Sequence, residues 1–329
     1  AKTDLLIKRE NLNNSKVNLE LARTRLNVGS ASKSDVYRWE SEVAIAKQQV
    51  VTSETTLLAA KIQLNNLLAN TLEPDFEIED VTIDGELFNE FFEDEISRFI
   101  QTPIDFIKIS DFLVQESLKN NPNKKVLLEN VKVVERQKAQ NQRLLFAPVV
   151  AVQAQAGRIL NVGGVGSTAE EGFNLPDNQW QVGLSLSHPI FQGFARRANL
   201  QKTIIQRDQL AYTEEQLDQQ LELQVRTSLL TALNASTNIE FSKVASDNAI
   251  ANFGLVQNGY KEGRIIITQL IDAQEAALNA QLNYALSVYD FMQAKLQVEF
   301  ALGFFSMLSS PEEKLDFSAR FQEYINTND

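Results

Sequence analysis

One segment of this sequence reads Asn27-Val28-Gly29-Ser30-Ala31-Ser32-Lys33-Ser34-Asp35-Val36, and it interrupts a long helical pattern with a glycine before the pattern restarts. A second segment, about 234 residues later, does the same: Lys261-Glu262-Gly263-Arg264-Ile265-Ile266-Ile267-Thr268-Gln269-Leu270. The sequences that follow stay in register, because Ala46 aligns with Ala280 and Lys61 with Lys295. The repeat indicates a duplicated unit, here two helical hairpins that each reverse at a glycine. We call the two segments the first tip and the second tip.

The composition excludes several classes of function. The 329 residues carry a net charge of −12, whereas a nucleic-acid partner would require a basic face. Cysteine is absent and His188 is the only histidine, which removes most options for nucleophilic or metal chemistry. We therefore expect no enzyme activity, no cofactor, no metal and no nucleic acid, and we interpret His188 as a residue that ends a strand.

The sequence also limits how the chain could meet a membrane. No run of about 18 apolar residues is present, so we expect no helix to span a bilayer, and a spanning role would have to use β-strands. The chain starts with Ala1-Lys2-Thr3-Asp4, which is not a signal peptide and predicts a mature, truncated or cytosolic chain.

Helical periodicity covers most of the chain. Residues 4–26 predict one helix, because leucines recur every seven residues with coiled-coil spacing. After Gly29, Ser34 is predicted to cap a second helix that runs to about Ala69. Near the C-terminus the pattern predicts a very long helix over 194–257, then a helix capped by Thr268 that runs to about Ala301. The tail from residue 304 is expected to be peripheral.

Residues 73–95 differ in character, since they hold eleven acidic residues and no basic one. The spacing does not match a calcium-binding loop. We interpret this stretch as a solvated subdomain between helices, in preference to a cation site.

The hydrophobic period changes to two after Pro148. Residues 149–157 and 180–187 alternate apolar and polar side chains, and a polar loop over 161–179 joins them. This is the pattern of a transmembrane β-hairpin, and equally of a soluble hairpin with one buried face. In the membrane interpretation one face meets lipid and the other meets the lumen. The lipid-facing residues would be Val150, Val152, Val182, Leu184 and Leu186, and the lumen-facing residues would be Gln153, Gln155, Gln181 and Ser185.

The order and spacing of these features resemble the TolC family of outer-membrane efflux channels. Four motifs carry the resemblance across nearly the whole chain. They are the first tip from Leu26 to Val36, the second tip with Tyr260 before it and Ile271-Asp272-Ala273 after it, Asn120-Asn121-Pro122, and Leu186-Ser187-His188-Pro189-Ile190-Phe191-Gln192-Gly193. The resemblance implies a mainly α fold, with long antiparallel α-helical coiled-coil hairpins and a small β-hairpin contributing to a trimeric transmembrane β-barrel.

The resemblance also implies a division of the chain. The segments are a first helical tip hairpin in the periplasmic tunnel (1–69), an acidic equatorial subdomain (70–110), an ascending helix (111–147), a transmembrane β-hairpin with its extracellular loop (148–190), a long second helical tip hairpin (191–303) and a C-terminal equatorial tail (304–329).

By resemblance, the function is that of a passive outer-membrane exit duct in a tripartite efflux or secretion system, opening at its periplasmic tip. The implied partners are further copies in a homotrimer, a periplasmic adaptor protein, an inner-membrane transporter and outer-membrane lipid of a Gram-negative bacterium. Family protomers have four strands and only one hairpin is readable here, so we expect an N-terminally truncated protomer. The alternative is a non-channel structural coiled-coil or adaptor-like periplasmic protein, which would not explain the strands.

The resemblance assigns roles to residues of both tips. The family's constriction carboxylates align with Gln269 and Asp272, so one of the two is replaced by an amide. Asp35 and Tyr260 align with a latch between helices, and Ile265 stands where a basic gate residue is typical. Residues beside the two reversals would dock the adaptor. They are Gly29, Ser30, Ser32, Lys33, Gly263 and Arg264.

Overall fold

The computed structural model describes residues 1–71, 76–77, 103–158, 178–306 and 308–327. Within these ranges the chain forms helices and one two-stranded sheet. The helices are α1 (Lys2–Asn27), α2 (Lys33–Leu67), α3 (Pro103–Asn120), α4 (Pro122–Leu144), α5 (Ala195–Lys261), α6 (Ile267–Leu302) and α7 (Pro311–Thr327), and the strands are β1 (Val149–Arg158) and β2 (Asn178–Ser187). Most of the predicted acidic subdomain and of the loop over 161–179 lies outside the described residues.

Both predicted hairpins of helices are present, but the residues that cap them differ from the prediction. Ser32, with an extended backbone, caps α2 in place of Ser34, which already lies inside the helix. Ser32 and Asp35 form a capping box, in which the hydroxyl accepts from Asp35 N–H at 3.3 Å and the carboxylate accepts from Ser32 N–H at 3.0 Å. Ile266 precedes α6, so Thr268 does not cap it, and the Thr268 hydroxyl instead accepts from Arg38 at 3.0 Å.

The motif Asn120-Asn121-Pro122 predicts that a helix opens at Asn121-Pro122 and continues to about Phe146, and α4 begins there, so the segment 111–147 assigned to the ascending helix contains the end of α3 as well as α4. Pro122 has no N–H and disfavours helical backbone in the residue before it. Hydrogen bonds to another helix stabilise the break between α3 and α4. Ser117 and Asn121 donate side-chain hydrogen bonds to the carbonyl of Ala301, at 2.6 and 3.2 Å.

The two predicted strands form an antiparallel hairpin, and its register separates two faces. Val150 lies opposite Leu186, Val152 opposite Leu184, and Ala154 opposite Val182. Because paired residues project from the same face, the five residues predicted to meet lipid share one face. The four predicted to meet the lumen share the other.

The chain divides into two compact units, which we describe separately. Unit 2, Pro122–Gln220, contains the hairpin of strands, α4 and the first part of α5. There Lys124 bonds Glu214 at 2.9 Å and Asp218 at 2.5 Å. Burial lowers the pKa of Lys124, but these carboxylates outweigh it and the net shift is upward. Asn141 donates to Thr203 at 2.7 Å.

Unit 1, Ala1–Asn121 with Leu221–Asp329, contains three hydrophobic clusters. One lies beside the tips and is built on Trp39, which is fully buried. A second packs α5 on α6 through residues such as Phe291. The third joins α3, α5, α6 and α7.

The tail is not peripheral, contrary to the prediction. It forms α7, whose Phe321 is 2% exposed. The ring of Phe112 on α3 lies 5.3 Å from that of Phe321 and 5.7 Å from that of Phe317, centroid to centroid. Pairs at these distances and tilts stabilise a core beyond their buried area. The prediction was wrong because the aromatic residues of α7 are interspersed with many charged residues, which gave the segment a polar character.

Among the helices of the described ranges, none combines the length and the apolar character that crossing a membrane requires.

Candidate functional site

The two tips have the same backbone structure. Gly29 and Gly263 adopt positive φ angles of 73° and 78°, in the left-handed region that favours glycine. At each of these helix ends, the backbone N–H of the residue after the glycine donates a hydrogen bond to a carbonyl in the last turn of the helix. Ser30 donates to the Arg25 carbonyl at 2.8 Å, and Arg264 donates to the Gly259 carbonyl at 2.9 Å. Both helices therefore end in a Schellman motif, which explains why a glycine recurs at equivalent positions of the repeat.

At two equivalent positions of the repeat, the large and the small side chain are interchanged between the tips. The first tip has Arg25 where the second has Gly259, and Ala31 where the second has Ile265. A Cβ added at Gly259 would lie 2.5 Å from Cγ1 of Ile265. Glycine at position 259 is thus required by the isoleucine that folds over it. The sequence analysis missed Gly259, which sits inside a helical pattern.

Arg25 connects the two tips. Its guanidinium donates to the backbone carbonyls of Tyr260 and of Ser30, the latter at 3.2 Å. It also lies over the Tyr260 ring, 4.5 Å from the centroid. A half-buried arginine in this position makes a cation–π contact and charge-assisted hydrogen bonds together. The sequence analysis missed Arg25 as well, although its alignment with a glycine marked it as different from its repeat counterpart.

Tyr260 takes part in this contact, and Asp35, its predicted latch partner, acts on it through its charge. The Asp35 carboxylate bonds the backbone of Ser32. The Tyr260 hydroxyl is buried beside the Trp39 indole, and these two groups interact without a well-formed hydrogen bond. Burial raises the pKa of Tyr260, the charge of Asp35 adds to the rise, and Arg25 opposes it. Asp35 thus acts on Tyr260 through its charge.

The predicted constriction residues lie on one side of α6. Gln269 and Asp272 are both exposed, while Leu270, Ala273 and Ala277 on the adjacent face are buried. The Gln269 side-chain oxygen lies 3.5 Å from the Ile266 nitrogen, a long contact that corresponds to the Asp35 cap of the first tip. Asp272 lies one turn further along the same exposed side of α6.

The predicted docking residues surround the reversals. Gly29, Ser30, Ser32, Lys33, Gly263 and Arg264 are exposed. Arg264 forms an ion pair with Glu262. Its side chain remains 73% exposed, so this pair leaves the guanidinium accessible.

A buried polar network lies behind the tips. The Gln274 amide donates to Asn11 and Ser15 at 2.9 and 2.7 Å and accepts from Asn18 at 2.8 Å. Gln257 donates to Asn18 at 2.9 Å. Asn18 is fully buried, so these bonds are needed to satisfy its amide, and they fix the axial register of α1 against α6.

Two carboxylates, of Glu42 and Glu275, interact between α2 and α6. Burial raises the pKa of Glu42 on α2, and the charge of Glu275 on α6 raises it further. Among the described residues, no group of three or more histidine or acidic side chains is arranged to hold a metal ion.

We compared the chain with known protein families. The model of a family described as "Outer membrane efflux protein" matches residues 113–304. The chain is similar to two proteins of Pseudomonas putida, the solvent efflux pump outer membrane protein SrpC and the toluene efflux pump outer membrane protein TtgI. Each is 26% identical over 161 residues, which are 49% of this chain and 33% of the relative. The match thus spans about a third of these relatives.

Solved structures share the fold. The outer-membrane channel OprN superposes with a TM-score of 0.67 at 19% identity, over 92% of this chain and 63% of that one. The outer membrane protein VceC of Vibrio cholerae gives a TM-score of 0.63 at 14% identity, over 92% and 66%. At these identities the likeness establishes the fold alone, and it confirms the predicted fold class of long helical hairpins with a small antiparallel β-element.

Proposed function

The chain belongs to the outer membrane efflux protein family, and from that premise we propose that it forms part of a passive exit duct through the outer membrane of a Gram-negative bacterium. The duct would serve a tripartite efflux or secretion system, with most of the chain in the periplasm. Its proposed partners are further copies of itself in a homotrimer, a periplasmic adaptor, an inner-membrane transporter and outer-membrane lipid. No catalytic step is part of the proposal.

The observation that carries the proposal is the distribution of side chains on the hairpin. Val152, Val182 and Leu184 are 70%, 64% and 76% exposed, on a face with no polar side chain between them. Burying one such side chain contributes about 1.5–3 kcal/mol, so water is an unfavourable environment for this face. Lipid on one side and an aqueous lumen on the other satisfy both faces, as in the wall of a transmembrane barrel.

We place the gate at the second tip. Asp272 is exposed there, and a threefold axis would bring three copies of it around the narrowest point. Carboxylates held together attract cations, because each disfavours the charge of the others. Gln269 would line the same opening without adding charge.

We place the adaptor contact at the reversals themselves, since their backbone is fixed by the two glycines while Lys33 and Arg264 project into solvent. Charge reversal of either residue should lower efflux without lowering the amount of the protein in the membrane. Lys125→Glu, which reverses a charge at an exposed position of α4 outside the two tips, is the matched control. Unchanged efflux in both charge-reversal variants would remove the tips from the adaptor contact.

The function is tested in cells that lack the gene. Full-length protein should restore export of the substrates of its transporter and should fractionate with outer membranes, with heat-dependent migration on a detergent gel. A soluble periplasmic protein that supports no export would contradict the duct and favour the structural coiled-coil alternative.

A further inference from the structure

In unit 2 the helices join the strands in a strongly basic region of an acidic chain. The chain has a net charge of −12, yet residues 136–158 and 178–207 hold eight lysine and arginine residues and no aspartate or glutamate. These ranges contain the end of α4, the hairpin of strands and the start of α5. We call the four helical cations nearest the strands the basic collar. They are Arg143, Arg196, Arg197 and Lys202.

The fold of unit 2 brings the members of the basic collar together. Because α4 leads into β1 and the antiparallel β2 leads into α5, the two helices run antiparallel beside each other. Asn141 on α4 donates to Thr203 on α5 at 2.7 Å, which fixes their relative level. Arg143 therefore lies at about the level of Lys202. The other two arginines lie about 8–9 Å further along α5 toward the strands.

The chain does not neutralise the charges of the basic collar. Arg143, Arg197 and Lys202 are exposed, and none of them forms an ion pair with any residue that the structure describes. Arg196 donates from Nε to the side-chain oxygen of Gln192, a neutral amide, at 3.2 Å. Neighbouring cations without a counter-charge repel one another, so the basic collar favours an anion beside it.

An exposed apolar patch lies next to the basic collar. Its members are within a few residues of the strand ends from which the helices continue. They are Phe146, Ile190, Phe191 and Phe194, with exposures of 84%, 96%, 77% and 70%. The rings of Phe191 and Phe194 lie 6.0 Å apart, centroid to centroid. Phe194 has a φ of 66°, which is unfavourable for a bulky residue, and its ring nevertheless stays exposed.

Cations beside exposed aromatic rings match the boundary between lipid tails and lipid headgroups. Guanidinium groups present forked donors that fit phosphate oxygens, and aromatic rings are favoured at the edges of the apolar band of a membrane barrel. Free phosphate or an acidic protein would satisfy the charges but would leave the apolar patch in water.

We propose that the basic collar binds the headgroups of anionic phospholipids in the membrane leaflet next to the helices. The inference rests on the proposed insertion of the hairpin into the outer membrane, and it specifies the class of lipid and the residues that bind it.

Native mass spectrometry of the full-length protein tests the class of lipid. Delipidated protein in a neutral detergent is mixed with equal amounts of phosphatidylglycerol and phosphatidylcholine that carry the same acyl chains. We expect at least about fivefold better retention of phosphatidylglycerol, since one lysine or arginine near an anionic lipid surface strengthens the attraction by about that factor. The preference should fall as the ionic strength is raised.

Paired substitutions test the residues. Arg143→Gln with Arg197→Gln removes two exposed cations and should abolish most of the preference for phosphatidylglycerol. Arg143→Lys with Arg197→Lys keeps the charge and should retain it. The matched control is Lys125→Gln with Arg136→Gln, which removes the same charge from exposed positions of α4 that begin about 10 Å from Arg143. This control should retain the preference as well.

Equal retention of the two lipids by the unaltered protein overturns the inference and leaves the charges to an acidic protein partner. An equal loss of preference in the control, or complete displacement of the lipid by inorganic phosphate, also overturns it. Reconstitution into vesicles of phosphatidylcholine separates the inference from the proposed function. Channels that show no preference for phosphatidylglycerol overturn the lipid site and leave the duct standing, whereas protein that inserts into vesicles of neither lipid overturns both. A preference lost only in Arg143→Gln with Arg197→Gln establishes the site.

Discussion

Gly259 lies where the second tip has no room for a side chain. Substitution to alanine would place Cβ 2.5 Å from Ile265 Cγ1, so Ile265 must move out of the cluster that it packs against. Overpacking of this kind costs about 1–3 kcal/mol. We expect Gly259→Ala to lower the free energy of unfolding by that amount, measured by denaturant titration of the full-length protein.

Two variants test the cause of that loss. Ile265→Ala should restore much of the stability of Gly259→Ala, because it recreates the small residue of the first tip. Gly254→Ala, on the same helix with no atom within 4 Å of the added Cβ, should be neutral or stabilise by up to ~1 kcal/mol. Equal losses at positions 254 and 259 would rule out the contact with Ile265.

Substitutions at Tyr260 and at Arg25 are expected to affect the stability of the tips to different degrees. Because the buried Tyr260 hydroxyl has only a poorly formed interaction with the Trp39 indole, Tyr260→Phe should lower the stability of the tip by less than about 1 kcal/mol. Arg25→Gln removes the charged bonds and the cation–π contact and should cost ~1–2 kcal/mol. Protection of tip amides from hydrogen exchange measures both. A Tyr260→Phe variant that opens as readily as Arg25→Gln would indicate a hydrogen-bonded latch to Asp35.

Glu42 makes the stability of the bundle depend on pH. Burial and then Glu275 raise its pKa above the ordinary 4.5, so its protonated form suits the folded state better than its charged form. The advantage is present below pH 4.5 and is lost as pH rises through the elevated pKa. We expect Glu42→Gln to raise the melting temperature at pH 7, with a gain that shrinks in acid. Glu10→Gln, at an exposed position, is the control, and an equal gain there would exclude this cause.

At the scale of the element, successive residues of each strand in the hairpin face two different environments. Val152 and Gln153 are neighbours on β1 but lie on opposite faces. If the first meets lipid, Val152→Lys should destabilise the membrane-inserted protein by about 2–4 kcal/mol. Gln153→Lys, facing water, should cost little. Unfolding from lipid vesicles measures the difference, and a larger loss for Gln153→Lys would invert the assignment of the faces.

The elements differ in how far the sequence could predict them. The tips and the strands were predictable because their signals are local, namely a glycine at a helix end and a period of two between prolines. The start of α4 was predictable as well, from Asn121-Pro122, whereas α7 is stabilised by the aromatic cluster around Phe112 on α3. Such long-range contacts leave little trace in the segment itself.

The candidate site shows the same division. The exposed position of Asp272 followed from the helical period, whereas the contact of Arg25 with Tyr260 joins residues 235 positions apart and could be found only in the folded chain. The resemblance assigns Asp35 and Tyr260 to a latch, and what the sequence did not indicate is that the Asp35 carboxylate also caps its own helix.

At the scale of the whole molecule, a ring of copies would concentrate the charge of Asp272 at the opening. Multivalent cations added from the periplasmic side should therefore block the open channel. Asp272→Ala should remove the block, because the carboxylates that hold the cation are lost. Gln269→Ala, one turn away and uncharged, should leave it intact. A block of equal strength in Asp272→Ala would move the constriction elsewhere.

The most direct measurement of the central claim is the current through a planar bilayer that contains the purified full-length protein. If the chain is part of an outer-membrane duct, single insertions should produce discrete conductance steps with a preference for cations. Oligomeric, membrane-inserted protein that gives no steps would contradict the duct.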